Sequence, residues 1–295
     1  MNLSMQHKGT FFVVITLSIW GLFAVFSRML GEQQLNAWDL TFLRFAVAVT
    51  VLLVWIFYKR ETLNFRIKPA LILSLFGGVG YCLIVYAGFL YAPVSHAAIW
   101  LNACIPVSTF FLSWVFFKKN LQIADYWTVL LIISSIVGML LYGYSTQNYQ
   151  FSIGDICFFV GSIFWASYTL LVKHLKISIR EALVGVTITS FVCYTPIYLL
   201  FLPKKIMAEQ WSIIVMQGFF HGVLMMLVAS MSYIKAIEYL GAMRAGSILA
   251  LAPFLAVILA IPLLGEWPDI SALIGLSGLL VAVLKPWQWF RKHTA

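Results

Sequence analysis

The chain has 295 residues and a formal net charge of +9; it is 62% hydrophobic and only 10% charged, with a mean hydropathy of +0.96. Values this apolar exclude a water-soluble globular protein, and the apolar runs are too long and too uniform for the alternating strands of a membrane barrel. The fold class that remains is an all-α polytopic membrane protein.

Ten apolar stretches follow one another along the chain, and we predict them as helices α1 to α10. Each has about the 20 residues that cross about 30 Å of hydrocarbon. In chain order they cover residues 8–29, 37–58, 69–91, 95–117, 124–143, 153–173, 179–201, 211–236, 243–264 and 268–289. The segments between them are too short for a soluble domain. Because no A-x-A-like cleavage site follows the first stretch, we expect α1 to be retained rather than removed as a signal peptide.

The basic residues divide unevenly between the two sides of the predicted membrane. Placing the N-terminus in the cytoplasm puts 15 of them on cytoplasmic segments and 3 on outer loops, with Arg44 set aside inside α2. The outer residues are Arg28, Lys204 and Lys205, and the cytoplasmic ones are Lys8, Lys59, Arg60, Arg66, Lys68, Lys118, Lys119, Lys173, Lys176, Arg180, Lys235, Arg244, Lys285, Arg291 and Lys292. This bias predicts both termini in the cytoplasm and explains the net charge without a nucleic-acid partner. We expect the chain in the cytoplasmic (inner) membrane of a bacterium, in contact with lipid.

Motifs for metal binding or catalysis are missing from the sequence. The four cysteines, at positions 82, 104, 157 and 193, lie inside predicted spans without a C-x-x-C pair or a histidine at metal-ligand spacing. We therefore expect no disulfide, no metal and no cofactor. The sequence has neither an H-E-x-x-H motif nor a mid-span aspartate, which argues against an intramembrane enzyme. Loops of about ten residues or fewer likewise argue against a scaffold.

The two halves of the chain resemble each other. The aligned pairs are Gly9 and Gly154, Trp20 and Trp165, Arg28 and Lys173, Tyr86 and Tyr233, Ala98 and Ala245, and Pro106 and Pro253. We predict a first repeat at 1–146, holding α1 to α5, and a second at 147–295, holding α6 to α10. An odd number of spans per repeat makes the second copy enter the membrane from the opposite face. Inverted repeats are a feature of secondary transporters, although duplication for stability alone is the other interpretation.

The segment from Ser232 through Leu251-Ala252-Pro253 to Leu264-Gly265-Glu266 resembles the second EamA repeat of the drug/metabolite transporter (DMT) superfamily. Its first-half counterpart runs from Val85-Tyr86-Ala87 to Ile105-Pro106. The resemblance implies two inverted five-helix bundles around a central cavity lined by α1, α3, α4, α6, α8 and α9. It also implies that α5 and α10 make dimer contacts in some members, so the chain is a monomer or a homodimer. Where the family usually carries Glu after α4, this chain has Lys119.

Within the superfamily, three local patterns are similar to the YddG-type aromatic amino acid exporters. They are Trp20 in α1, Tyr81 in α3 with Asn102 four residues before Pro106, and Phe164-Trp165-Ala166-Ser167-Tyr168 in α6. These exporters tend to have an aromatic residue three positions before the α9 proline, whereas this chain has Ala250. The resemblance implies export of aromatic amino acids.

Six side chains inside the predicted spans are candidates for substrate binding: Trp20, Tyr81, Asn102, Trp165, Tyr168 and His221. The aromatic residues offer stacking surfaces or a cation–π cage, with ordinary packing as the alternative. Asn102 has both donors and acceptors for a ligand, or makes an interhelical hydrogen bond. His221 is either proton-sensitive or hydrogen-bonded within the bundle. Arg44 is interpreted as structural.

The remaining polar residues lie near helix ends. Lys235, Glu238 and Arg244 form a candidate gate at the cytoplasmic ends of α8 and α9, or a solvated ion pair. All ten acidic residues fall in loops or near helix ends, which argues against a buried carboxylate proton relay. The function hypothesis is a secondary transporter that exports aromatic or related amino acids by alternating access. The alternative is a transporter of quaternary or organic amines that uses an aromatic cage for uptake or efflux.

Overall fold

The computed structural model describes residues 3–31, 35–60, 64–116, 118, 122–147, 149–207 and 210–284, and over these ranges the regular structure is helical, without a strand. The helices are α1 Leu3–Arg28, α2 Ala37–Lys59, α3 Ile67–Tyr91, α4 Val94–Val115, α5 Ile123–Thr146, α6 Ile153–His174, α7 Ile179–Phe201, α8 Trp211–Leu240, α9 in two pieces, Ala242–Leu249 and Ala252–Leu264, and α10 Ile270–Leu284. In the described chain, nine are long and apolar enough to span a membrane, and α10 is a shorter apolar helix. The prediction of ten apolar helices is confirmed.

Polar side chains fix where several helices begin. Asn36 accepts a hydrogen bond from the Asp39 amide at α2, and Ser152 accepts one from Gly154 at α6, while the carboxylates of Asp39 and Asp155 bind back to the capping residues' amides. Such reciprocal boxes satisfy amides that have no partner within the helix. At the other end of a helix, Gly265 follows α9 with a φ of 69°, a conformation that favours glycine.

Four helices are irregular at the middle of the bundle. α3 is interrupted at Gly78, α4 is π-helical over Ala97–Ala103, α8 is π-helical over Phe219–Val228, and α9 breaks at Ala250 and Leu251. The irregular parts of α4 and α9 lie just before Pro106 and Pro253, which lack the N–H that would bond the preceding turn. α3 and α4 are the repeat counterparts of α8 and α9, so both halves are irregular in corresponding helices. Such π-helical segments occur frequently at functional sites.

The two repeats exchange equivalent contacts. α1 packs against α8 and α9, and its counterpart α6 packs against α3 and α4; α2 contacts α7, and α5 contacts α10. The backbones of α3 and α6 approach closely at two glycines. A Cβ on Gly88 would overlap Phe158, and one on Gly161 would overlap Val85. Large apolar side chains such as Phe57 and Phe201 are exposed on the outside, as expected of a surface that lies in lipid.

Candidate functional site

Three of the predicted site residues lie together where α3 meets α6. The ring centroids of Tyr81 and Trp165 are 5.1 Å apart and those of Trp165 and Tyr168 are 5.3 Å apart, both pairs tilted. Tyr81 is buried, whereas the other two rings are partly exposed. The Tyr168 ring lies over Gly77, where a Cβ would overlap it. The absence of a side chain at Gly77 therefore positions the third ring of this aromatic cluster, Tyr81, Trp165 and Tyr168.

Trp20, the repeat counterpart of Trp165, lies elsewhere. Its ring centroid is 5.6 Å from that of Tyr233 on α8, and the side chain is partly buried. Each tryptophan thus lies against a tyrosine of the partner repeat, although Tyr233 is aligned with Tyr86 and not with Tyr81. This is the arrangement expected from the reciprocal packing of α1 with α8 and α6 with α3.

Asn102 lies in the π-helical part of α4. Its side-chain amide donates to the carbonyl of Ala97 at 3.3 Å, within the same helix, and the side chain is partly exposed. The interhelical bond considered from the sequence is not the contact formed here. This bond uses the amide nitrogen of Asn102, so its amide oxygen remains an acceptor for other groups.

His221 belongs to a buried cluster with Arg44 and Tyr86. Arg44 Nη1 donates to the Tyr86 hydroxyl at 3.0 Å, and that hydroxyl lies 3.0 Å from His221 Nδ1. Since a guanidinium only donates, the Tyr86 oxygen accepts from Arg44. When the Tyr86 hydroxyl in turn donates to Nδ1, the proton of a neutral His221 lies on Nε2. Phe23 packs edge-on against the imidazole, and Gln217 on the same helix as His221 donates to a carbonyl of α1.

This Arg44 cluster, Arg44, Tyr86 and His221, carries a buried positive charge. Arg44 is 6% exposed, and within the described ranges no carboxylate forms an ion pair with it. In the same ranges Arg44 Nε and His221 Nε2 are buried without a hydrogen-bond acceptor. Buried donors of this kind are costly, and a charge at this depth usually marks a functional site. From the sequence, Arg44 is interpreted as structural, and its buried charge makes it a candidate for contact with substrate as well.

A polar network closes one end of the bundle, which we name the Arg28 end and which is formed by the ends of α1 and α9 and the starts of α4 and α6. Arg28 Nε is 2.6 Å from Glu266 Oε1, and the other oxygen of Glu266 accepts from the Val94 amide at 2.9 Å. Close by, His96 Nδ1 is 2.7 Å from Asp155 Oδ1, and both side chains are buried. The sequence placed Asp155 at a helix end but did not predict its burial.

The candidate gate lies at the opposite end. Lys235 Nζ is 2.7 Å from Glu238 Oε2, one turn apart on α8, and both side chains are about half exposed. Arg244, at the start of α9, is exposed and is not the partner of Glu238. The geometry is that of a solvated ion pair within one helix. Lys119 is aligned with Glu266 in the other repeat, and it lies outside the described residues.

Sequence comparison identifies the family to which this bundle belongs. The model of the EamA-like transporter family matches residues 7–141 and again residues 152–285. The chain belongs to the EamA-like transporter family. This EamA-like chain is also 27% identical over 173 residues to an uncharacterized transporter of Archaeoglobus fulgidus, a match that covers 57% of this chain and 58% of that relative. The match thus spans little more than half the length of the relative.

A solved crystal structure of a protein has a similar architecture. It superposes with a TM-score of 0.65 at 14% identity, and the superposition covers 98% of this chain and 99% of the other. At this identity the likeness concerns the fold alone. Membership in the EamA-like family places the chain among integral membrane transporters of the DMT superfamily and outside the enzymes. The two segments that match the family model agree with two repeats in one chain.

Proposed function

We propose that this EamA-like protein is a secondary transporter that exports aromatic or related amino acids by alternating access. The observation that carries the proposal is the aromatic cluster on the interface between the two repeats. The repeats, 1–146 and 147–295, would rock against each other around a central site, with both termini in the cytoplasm of a bacterium. The local resemblance to the YddG-type exporters supports the same cargo.

The aromatic cluster fits the side chain of such a substrate. Trp165 and Tyr168 are partly exposed beside a buried Tyr81, so a planar ring can stack on them without displacing the core. Each good aromatic contact contributes about 0.5–1.5 kcal/mol beyond the burial of area. Two such contacts would raise affinity by about fivefold to about 150-fold, which is enough to separate aromatic from small aliphatic side chains.

The Arg44 cluster fits the other end of the substrate. Tyr81 and Tyr86 lie five residues apart on α3, about 7.5 Å along the helix axis. The same five residues turn the two side chains about 140° apart on an ideal helix, so a ligand stacked on Tyr81 would reach Arg44 with its carboxylate only when the helices separate. A carboxylate would supply the anion and the acceptors that Arg44 Nε and His221 Nε2 lack within the described chain.

The Arg44 cluster also bears on the alternative cargo. A quaternary or organic amine needs only an aromatic cage, which the three rings provide. However, a permanent cation would approach the unpaired guanidinium of Arg44 and be repelled by it in a medium of low dielectric constant. The observed positive charge thus favours a substrate with a carboxylate.

Counterflow in proteoliposomes tests this proposal. Vesicles that hold the purified protein are loaded with unlabelled solute and diluted into buffer that contains labelled tryptophan, phenylalanine, alanine or an organic amine. We expect exchange of the aromatic amino acids at a rate at least about tenfold above that of alanine, from the stacking energy above. Exchange of the amine alone would support the alternative cargo, and exchange of none would refute both.

Matched variants locate the binding site. Trp165→Ala removes the central ring of the aromatic cluster, and Trp114→Ala removes a tryptophan that is 58% exposed on the outside of α4. We expect the first to weaken the apparent affinity for tryptophan by about tenfold, the loss of one to two stacking contacts, and the second to leave it unchanged. Equal effects would place the site elsewhere.

A further inference from the structure

The carboxylates of Asp155 and Asp39 are both buried in the described chain, but their hydrogen-bond partners differ in chemistry. Asp155 pairs with His96. Asp39 at the start of α2 is also fully buried, but it accepts bonds from the Tyr198 hydroxyl and from backbone amides, which stay protonated near neutral pH. Asp155 faces an imidazole, the side chain that ordinarily titrates between about pH 5 and 8. Binding of a proton by the partner side chain can therefore change the net charge at Asp155 but not at Asp39.

Burial makes this change of charge consequential. The side chain of His96 is 7% exposed and that of Asp155 is 0% exposed. With a neutral imidazole the pair carries a net charge of −1, and with an imidazolium it is neutral overall. A net charge in a site closed to water is costly, whereas a hydrogen-bonded ion pair is much less so. The protonated pair is thus compatible with a closed site, while the deprotonated pair favours contact with water.

The groups around the pair reinforce its hydrogen bonding. The second oxygen of Asp155 accepts from the Ser152 amide at 2.8 Å. The Tyr149 ring stacks on His96 with centroids 4.6 Å apart, and the Tyr149 hydroxyl accepts from Trp100 at 2.6 Å. Burial raises the pKa of Tyr149, so the phenol keeps its proton.

Charged groups on the neighbouring helices are already paired or capped. Glu266 at the end of α9 holds Arg28 of α1 and the amide of Val94, two residues before His96. Asp269 caps the start of α10 by accepting from the Ala272 amide. These two carboxylates therefore have hydrogen-bond partners other than His96.

The pair also bridges parts that move against each other in alternating access. His96 belongs to α4 of the first repeat, directly before its π-helical segment Ala97–Ala103, and Asp155 belongs to α6 of the second repeat. Asn102 lies six residues farther along α4, about 9 Å toward the middle of the bundle. Separation of the repeats at the Arg28 end would open the pair to water on that face, and a cavity from the other face would approach it past Asn102.

We propose that His96 and Asp155 form a proton-binding site that couples solute transport to a proton gradient, an inference that rests on the proposed transport function. When the Arg28 end is open, a water-borne proton binds the imidazole and converts the pair from −1 to neutral. The neutral pair allows this end to close, and the proton leaves to the other face after the cavity has opened there. The proton is the only species exchanged, and no bond to solute forms or breaks.

The test separates exchange from gradient-driven transport. His96→Gln keeps a donor to Asp155 without titration, Asp155→Asn removes the charge, and Asp39→Asn is the matched control at a buried helix start. In proteoliposomes with labelled tryptophan, we expect Asp155→Asn, whose pair is neutral, and Asp39→Asn to retain counterflow within about threefold of the wild type, since exchange requires no net proton movement. His96→Gln leaves a permanent charge of −1 on the pair and should slow counterflow as well. A pH gradient should drive accumulation in the wild type and in Asp39→Asn, and at least about tenfold less in the first two variants.

Each outcome decides a different claim. Undiminished accumulation in His96→Gln and Asp155→Asn would overturn the coupling inference while the transport function stands. Wild-type protein that exchanges none of the solutes would refute the transport function instead. Where a variant is unstable, ¹⁵N-histidine NMR of the wild type in nanodiscs provides an independent reading. The His96 resonances should change from those of an imidazole to those of an imidazolium when the pair takes up a proton, and a spectrum that keeps one protonation state as the pH is varied would also overturn the inference.

Discussion

The ion pair between Arg28 and Glu266 is expected to hold the Arg28 end closed, and Glu266→Gln should loosen it. Glu266 accepts from Arg28 Nε at 2.6 Å and from the Val94 amide at 2.9 Å. Arg28 also donates through Nη1 to the carbonyl of Phe89 at 2.7 Å. One carboxylate thus joins the ends of α1 and α9 to the start of α4, and through Arg28 it is linked to α3. Glutamine keeps one acceptor but removes the charge.

The magnitude follows from the burial of this pair. Hydrogen bonds to charged groups contribute about 1.5–3 kcal/mol each where they are shielded from water. The side chains of Arg28 and Glu266 are 29% and 21% exposed, so screening by water reduces that value. We expect Glu266→Gln to favour opening at this end by about 1–2 kcal/mol, a five- to thirtyfold larger open population, since about 1.4 kcal/mol is a factor of ten.

Thiol accessibility measures that population. In a background without the native cysteines, Ala98→Cys places a thiol at a position that is 2% exposed at the closed end. When opening is fast relative to labelling, the rate of reaction with a membrane-impermeant maleimide is proportional to the open population. Glu266→Gln should label about five- to thirtyfold faster, and Glu238→Gln, in the exposed pair at the other end, should not. Equal rates in all three backgrounds would refute a latch at Arg28.

Three further predictions concern packing, the π-helical segment and the candidate gate. Gly77→Ala should lower the unfolding temperature, because the added methyl overlaps the Tyr168 ring and overpacking costs about 1–3 kcal/mol. Pro106→Ala should restore a regular hydrogen bond in α4, raising thermal stability while lowering the turnover rate in counterflow. Lys235→Ala should change neither unfolding temperature nor exchange, since its bond to Glu238 is exposed; a loss of exchange would support the gate role instead.

Hydropathy was sufficient to predict the ten helices, because it depends on local sequence. The Asn36 and Ser152 caps fix the starts of α2 and α6 in the structure as their side-chain chemistry requires. In contrast, the π-helical segment Ala97–Ala103 is as apolar as a regular helix, so its extra residue per turn has no hydropathy signal. The local signal is Pro106, which lacks the N–H that would bond the preceding turn.

The residues of the aromatic cluster could be predicted from the sequence, but their arrangement in space could not. The tyrosines and tryptophan of the aromatic cluster were identified from α3 and α6, yet the position of Tyr168 depends on Gly77 of a different repeat. Burial of Asp155 likewise depends on the tight contact of Gly154 with the end of α3, where a Cβ would overlap Ala92. Both features arise from close approach of two helices that are distant in sequence.

Helix packing is equivalent in the two repeats, but the polar groups at the two ends of the bundle differ. α1 with α9 and α6 with α4 are equivalent contacts, so apolar packing alone would leave the two ends of the bundle similar in stability. Arg28 has Lys173 as its counterpart, but the position that corresponds to Glu266 is Lys119 in the sequence. In sequence, those two positions carry two cations where the Arg28 end has an acid and a base. The ion pair is thus encoded in one repeat and not in the other, and it favours closure at the Arg28 end.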